Sequence, residues 1–151
     1  MRTNTPNSSR SASPYEPPRL YQLVAPAEPS TARLARDFIS GVLVATEHPL
    51  LIDDARLCVS DTVANVVQHA RVPDLTIEVD VRGLRVITSI RDHDPTRLPR
   101  HRRARSDEER GRGLALVQQL SVAYGMNLVW DGLNVIGKCV WFELREGDDP
   151  R

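Results

Sequence analysis

The chain has 151 residues, enough for one domain that buries its own core without a disulfide or metal staple. Hydrophobic residues make up 40% and charged residues 26%, and the formal net charge of +0 excludes a global field that would draw the chain to nucleic acid or a membrane. The two cysteines, Cys58 and Cys139, lack metal-ligand spacing, no apolar run is long enough to span a bilayer, and the Met1 to Pro6 start lacks the apolar core of a secretory leader; these features set the expectation of a reduced, cytoplasmic protein.

Residues 1–18 are rich in Ser, Pro and Asn and are expected to form a disordered tail ahead of a domain spanning 19–146, with a second short tail at 147–151. Leu20 to Val24 alternates weakly, as an edge strand would. After Pro26 and Pro29, Ser30 is a candidate cap for a helix over Thr31 to Thr46, whose apolar residues Leu34, Phe38, Val42 and Ala45 recur at helical spacing. His48-Pro49 ends that helix. A second runs from about Leu50 to Ala70 with Ile52, Ala55, Val59, Val63, Val66 and Val67 in one stripe.

Leu75, Ile77, Val79 and Val81 alternate as a half-buried strand, and Arg82-Gly83 turns it into a partner carrying Leu84, Val86, Thr88 and Ile90. From Asp92 to Arg110 there is almost nothing apolar and no period. Such a long stretch in a small domain suggests a functional loop, and residues 96–110 are expected to be mobile without a ligand. A helix is predicted from Gly113 to about Ala123, closed by Tyr124-Gly125. Met126 to Trp130 and Gly137 to Leu144 read as two more strands joined by Asp131-Gly132-Leu133-Asn134. Consecutive hairpins with helices between them predict a two-layer α/β sandwich, its mixed, mostly antiparallel sheet covered by helices on one face. The chain contains no Walker-type phosphate loop.

Three places carry residues suited to chemistry. Asp61 and Asn65 are one turn apart on the second helix, so a carboxylate and a carboxamide share a face beside the apolar stripe. An Asn oxygen suits Mg²⁺, and a carboxylate beside it can orient a hydroxyl for attack on a phosphate; two polar residues on a solvated face would look the same. Asp92 ends a strand, where it can accept a hydrogen bond from an adenine amino group or simply serve a turn. Arg110-Gly111-Arg112-Gly113-Leu114 opens a helix, where glycines let backbone N–H groups approach a phosphate. The arginines at 97, 100, 102, 103 and 105 could close over a triphosphate or stay solvated. No aromatic side chain stands among them to stack a base, which argues against direct nucleic-acid binding.

Taken in order, these features and the final Gly137-Lys138-Cys139-Val140-Trp141-Phe142 strand resemble the GHKL (histidine-kinase-like) ATP-binding superfamily, and within it the small bacterial anti-sigma-factor serine kinases. The resemblance rests on Leu57 to Ala70 and Gly111 to Val117 and extends over about residues 20–145. It implies a Bergerat-type ATP-binding fold and ATP with Mg²⁺ as cofactors. Asn65 would hold the metal, Asp61 would activate the attacking hydroxyl and Asp92 would recognise adenine. The segment from Arg110 to Leu114 would cradle the phosphates, with Cys139 beside the adenine site. It also implies a sigma factor or an anti-anti-sigma protein as partner, phosphorylation of a serine on the latter, and homodimerisation, which many relatives show.

The chain departs from that pattern in three places. Asp61 stands where relatives usually carry Glu, His93-Asp94-Pro95-Thr96 replaces a glycine-rich segment, and Cys139 falls where a Thr is common. A misplacement of about 1 Å in a reacting group can cost roughly a hundredfold in rate. Two alternatives to a kinase therefore stand beside it: a non-catalytic regulator that binds its partner with or without nucleotide, and an ATPase without a protein acceptor.

Overall fold

The computed structural model describes residues 17–69, 73–92 and 114–147. The predicted tails, the loop between Asp92 and Leu114, and the Arg110 to Gly113 phosphate segment lie wholly or largely outside these residues.

Five strands form one sheet in the order β1-β2-β3-β5-β4, with β1 Arg19–Pro26, β2 Asp74–Arg82, β3 Arg85–Asp92, β4 Ala123–Asp131 and β5 Asn134–Arg145. Every pairing among them is antiparallel, so the mixed sheet allowed by the sequence is a fully antiparallel one among the described residues. Among the described residues three helices cover one face: α1 Thr31–Ala45, α2 Ile52–His69 and α3 Ala115–Leu120, with a 3-10 turn at Pro49–Leu51 leading into α2. The architecture is the predicted two-layer α/β sandwich. No helix among the described residues is long and apolar enough to cross a membrane.

The period-two pattern decides which strand face the helices cover. Leu75, Ile77, Val79 and Val81 of β2, Val86 and Ile90 of β3, and Val140, Phe142 and Leu144 of β5 all point to the helix layer and are buried. From α2, Ala55, Cys58, Val59, Thr62, Val63 and Val66 meet them with no exposed surface. The opposite sheet face carries charge pairs instead: Arg91 with Glu78, Arg85 with Glu143, and Arg82 with Asp80. The two long helices are tied to each other by Arg36 donating to Ser60 Oγ and Arg56 donating to Ser40 Oγ, both at 2.8 Å.

Four local expectations change. The core face of α1 is Thr31, Ala35, Ile39, Val42 and Leu43, so the predicted stripe was turned by about one residue and Leu34 is exposed. Ser30 has helical backbone angles and makes no side-chain cap, because Pro29-Ser30 continues a turn in which Thr31 N–H donates to Glu28 O; the Thr31 hydroxyl donates to Pro26 O instead. Leu84 sits in the β2–β3 turn with Gly83 rather than in the strand, and is half exposed. Finally, α3 stops at Leu120, and Tyr124-Gly125 lies inside β4. A Cβ on Gly125 would come within 2.8 to 2.9 Å of the Trp141 indole, so this glycine clears space for a cross-strand ring rather than ending a helix.

The end of α1 closes without glycine. Glu47 takes φ 63°, and the N–H groups of Glu47 and His48 donate to the carbonyls of Val44 and Leu43, a Schellman arrangement. That turn buries His48, whose Nδ1 meets Glu146 just past the end of β5.

One defect sits inside the core. The Thr88 hydroxyl, on fully buried Thr88 in central strand β3, has no hydrogen-bond partner among the described residues. An unsatisfied buried hydroxyl costs about 1–3 kcal/mol. Thr88→Val is expected to raise stability by roughly 1 kcal/mol, and melting by about 2–4 °C for a chain of this size. A thermal melt lower than wild type would show that the hydroxyl is satisfied.

Candidate functional site

The second helix delivers its polar pair by register alone. Asp61 and Asn65 follow Cys58 at three and seven residues, on the flank of the stripe formed by Cys58, Val59, Thr62, Val63 and Val66, and both are half-buried. Their elevation in the domain follows from the topology. The C-terminal end of α2 connects through residues 70–73 to the start of β2, and Leu75 of β2 pairs directly with Asp92. Asp92 therefore lies at the sheet end that the last turn of α2 reaches, and Asn65 stands one turn, or about 6 Å of helix rise, before that end. Asp61 lies a further turn back.

Asp92 is in phase with Val86, Thr88 and Ile90, so it points to the helix side, where it is 1% exposed. Its Oδ1 accepts the backbone N–H of Lys138 at 3.3 Å, and the two residues are register partners on β3 and β5. A carboxylate so deeply placed on the helix side, at a strand end, is a candidate ligand group rather than a turn residue.

Cys139 does not join it. It alternates with Trp141 and Glu143, on the face away from the helices, and pairs with Arg91. Burial pushes its thiol up, Ser89 and Arg91 offset this in part, and Glu78 and Asp92 add to it; Ser89, Arg91 and Glu78 all belong to the outer face. The residue of this strand on the Asp92 side is Lys138, in step with Val140 and Phe142. Sequence reasoning passed over Lys138, although it is the sole lysine in the chain and the alternation of β5 was available to place it.

The third element approaches α2 from its flank. The Cys58 thiol faces the Leu116 carbonyl at 4.0 Å, so α3 lies along α2 one turn before Asp61. Burial, with Asp54 and Asp61 adding their charge, pushes the Cys58 thiol up to about 12. This is an inert core thiol. Leu114, the residue before α3, packs partly against the core. The helix register thus puts Asp61 and Asn65 on one flank of α2, the sheet register puts Asp92 beside Lys138, and Leu114 packs against the core just before α3. Arg110, Gly111, Arg112 and Gly113 are outside the described residues.

Burial raises the Asp61 carboxyl above its usual range. A carboxylic acid raised in this way holds a proton more tightly folded than unfolded, so folding is favoured at low pH and loses that advantage as pH rises through the raised value. At neutral pH the ionised group is therefore a cost. Asp61→Asn is expected to melt higher than wild type at neutral pH, with the gap closing as pH falls into the carboxylate range. An equal gap at all pH values would mean the gain does not come from removing this charge.

Among the described residues no three His, Cys, Asp or Glu groups converge as a metal cage. Asn65 suits a different arrangement, in which Mg²⁺ takes one protein oxygen together with phosphate oxygens and water. Residues 25–141, most of the chain, match the histidine kinase-like ATPase domain, and the chain belongs to that family. No curated protein matches closely enough to carry a finer assignment. Family membership supports ATP binding, typically with Mg²⁺, and a regulatory role.

Proposed function

We propose that this chain binds Mg-ATP between α2, α3 and the Asp92 end of the sheet, and uses it to control a sigma factor or that factor's antagonist. The observation that carries the reading is Asp92: a carboxylate 1% exposed, on the helix side of a central strand, at its end. In this reading Asp92 accepts a hydrogen bond from the adenine amino group, and Asn65 would supply an oxygen to Mg²⁺. Asp61, its proton affinity raised by burial, takes the proton of an attacking serine hydroxyl. When bound, Mg²⁺ neutralises the developing phosphate charge. The partner would be an anti-anti-sigma protein phosphorylated on serine, or a sigma factor held in complex.

A second reading is favoured by the short acid at 61: nucleotide-gated partner binding without transfer, because Asp reaches one methylene less than Glu. Calorimetric titration with Mg-ATP tests the shared premise, and absence of heat at millimolar nucleotide would end both readings. Incubation with labelled ATP, Mg²⁺ and native partners then separates them. Label on one partner serine, lost in Asp61→Asn, supports the kinase; complex formation without label supports the gated binder.

A further inference from the structure

At the end of the sheet opposite Asp92, the outer face carries three arginines in a row. Arg82 of β2 pairs with Arg85 of β3, and Arg85 with Arg145 of β5. Each is out of phase with the buried Val81, Val86 and Leu144, so all three project from the face the helices leave open. The Arg82 and Arg85 side chains are 57% and 48% exposed, and Arg145 is exposed. Like charges directly opposite on paired strands destabilise a sheet, and here two such pairs stand side by side. Two carboxylates one row inward ease this in part. Asp80 accepts from Arg82 Nε at 3.0 Å, and Glu143 accepts from Arg85 Nε and Nη2 at 2.9 and 2.6 Å. Each of these guanidiniums is gripped along one edge and keeps further N–H donors for another acceptor. Arg145 makes no ion pair among the described residues, and it carries the uncompensated charge of the row.

We propose that this row is a docking surface for an acidic amphipathic helix of a protein partner. Charge complementarity sets the sign of the occupant, and spacing sets its form. Neighbouring strands are about 4.8 Å apart, so arginines on three consecutive strands repeat at that interval over about 10 Å. Side chains three or four residues apart on a helix repeat at about 5–6 Å, which lays a carboxylate over each guanidinium when the helix runs across the strands. Alternate side chains of an extended segment repeat at about 6.6 Å and fall out of step within the row. Asp80 and Glu143 already hold two of the guanidiniums in place, so less side-chain freedom is lost on binding. Leu20, 62% exposed on the same face and one row inward, meets the apolar side of the helix. A nucleic-acid backbone or an anionic membrane fits less well, because its charge extends over the inward rows and meets Asp80, Glu143 and Glu78.

The test is fluorescence anisotropy with a labelled, lactam-stapled helical peptide bearing Glu at i, i+3 and i+7 and leucines on the adjoining face, beside a peptide with Gln at the same three positions. Wild type should bind the Glu peptide about tenfold more tightly than the Gln peptide, and the difference should shrink as salt rises. Arg145→Glu should bind the Glu peptide about tenfold more weakly than wild type, since one attraction becomes a repulsion. That variant should melt no lower than wild type, because it replaces one like-charge pair with an opposite pair, so the lost binding is not a lost fold. If it does not fold, Arg145→Gln makes the same comparison with a loss of about threefold. Failure of wild type to bind the Glu peptide, equal affinity for the two peptides, or unchanged affinity in both Arg145 variants would overturn the proposal. So would tighter binding to phosphatidylserine vesicles or to a single-stranded DNA oligonucleotide than to the Glu peptide, which would make the row a site for lipid or nucleic acid.

Discussion

Asn65→Ala is expected to weaken Mg-ATP binding by about a hundredfold, the largest effect on nucleotide affinity of any single substitution on α2. Even groups that merely orient a metal's ligands are worth roughly 10–100-fold in metal affinity, and a direct oxygen ligand belongs at the upper end. Asn65 is half-buried at the last full turn of α2, while the described residues offer no carboxylate cage that could hold the ion in its place. The fold should not suffer. Alanine has the better helix propensity, and the buried stripe of Cys58, Val59, Thr62, Val63 and Val66 is untouched. The control is chemical: wild type stripped of divalent ions with a chelator should bind ATP about as weakly as Asn65→Ala does, and the variant should lose little more on chelation. If the variant binds Mg-ATP like wild type, or if the chelator weakens both equally, Asn65 is not the metal's ligand. Asn65→Asp should retain much of the affinity, because it keeps an oxygen at the same reach.

The local character of this pair is why the sequence could show it. Two residues four apart on a strongly periodic helix need no tertiary information to be placed together, and Asp92 needs only the alternation of its own strand. The central hairpin was legible for the same reason, with its glycine turn and clean period of two. What sequence could not settle depended on partners far along the chain. In α1, Leu34 and Phe38 look like the apolar stripe, yet the sheet accepts the smaller Ala35 and the branched Ile39, and Leu34 is left in solvent. Gly125 resembles a helix stop until Trp141, sixteen positions away on β5, is seen to lie over it. Cys139 inherits a role from resemblance, but the register of β5 against β3 puts it on the reverse face and gives its place beside Asp92 to Lys138. A one-residue difference in a strand changes the face, so a role carried over by similarity is least secure on strands.

Phe142→Ala is expected to cost about 3–5 kcal/mol, the usual range for removing a large aromatic side chain from a closed core. Phe142 is the largest fully buried side chain among the described residues, and it stands in β5 between Thr88 of β3 and Tyr124 of β4. Its neighbours cannot readily collapse into the space, because two paired strands hold the backbone on either side and the α2 stripe covers it from above. Domains have about 5–15 kcal/mol of stability in total, so this one change consumes a large share of it. In a chain of this size the melting temperature should fall by roughly 6–20 °C, at about 2–4 °C for each kcal/mol. Phe142→Leu separates volume from chemistry: it keeps most of the apolar contact and should recover most of the loss. The two variants also bear on the site, since β5 holds Lys138 four residues away, with its N–H donated to Asp92. Below its lowered melting point, Phe142→Ala should still bind Mg-ATP, because the site row lies two rows from the cavity and packed strands transmit little when their ladder stays intact. A melt within a degree or two of wild type would mean the core closes over the gap. A folded variant that has lost nucleotide would mean that Phe142 sets the position of the Asp92–Lys138 pair and not merely the stability of the sheet.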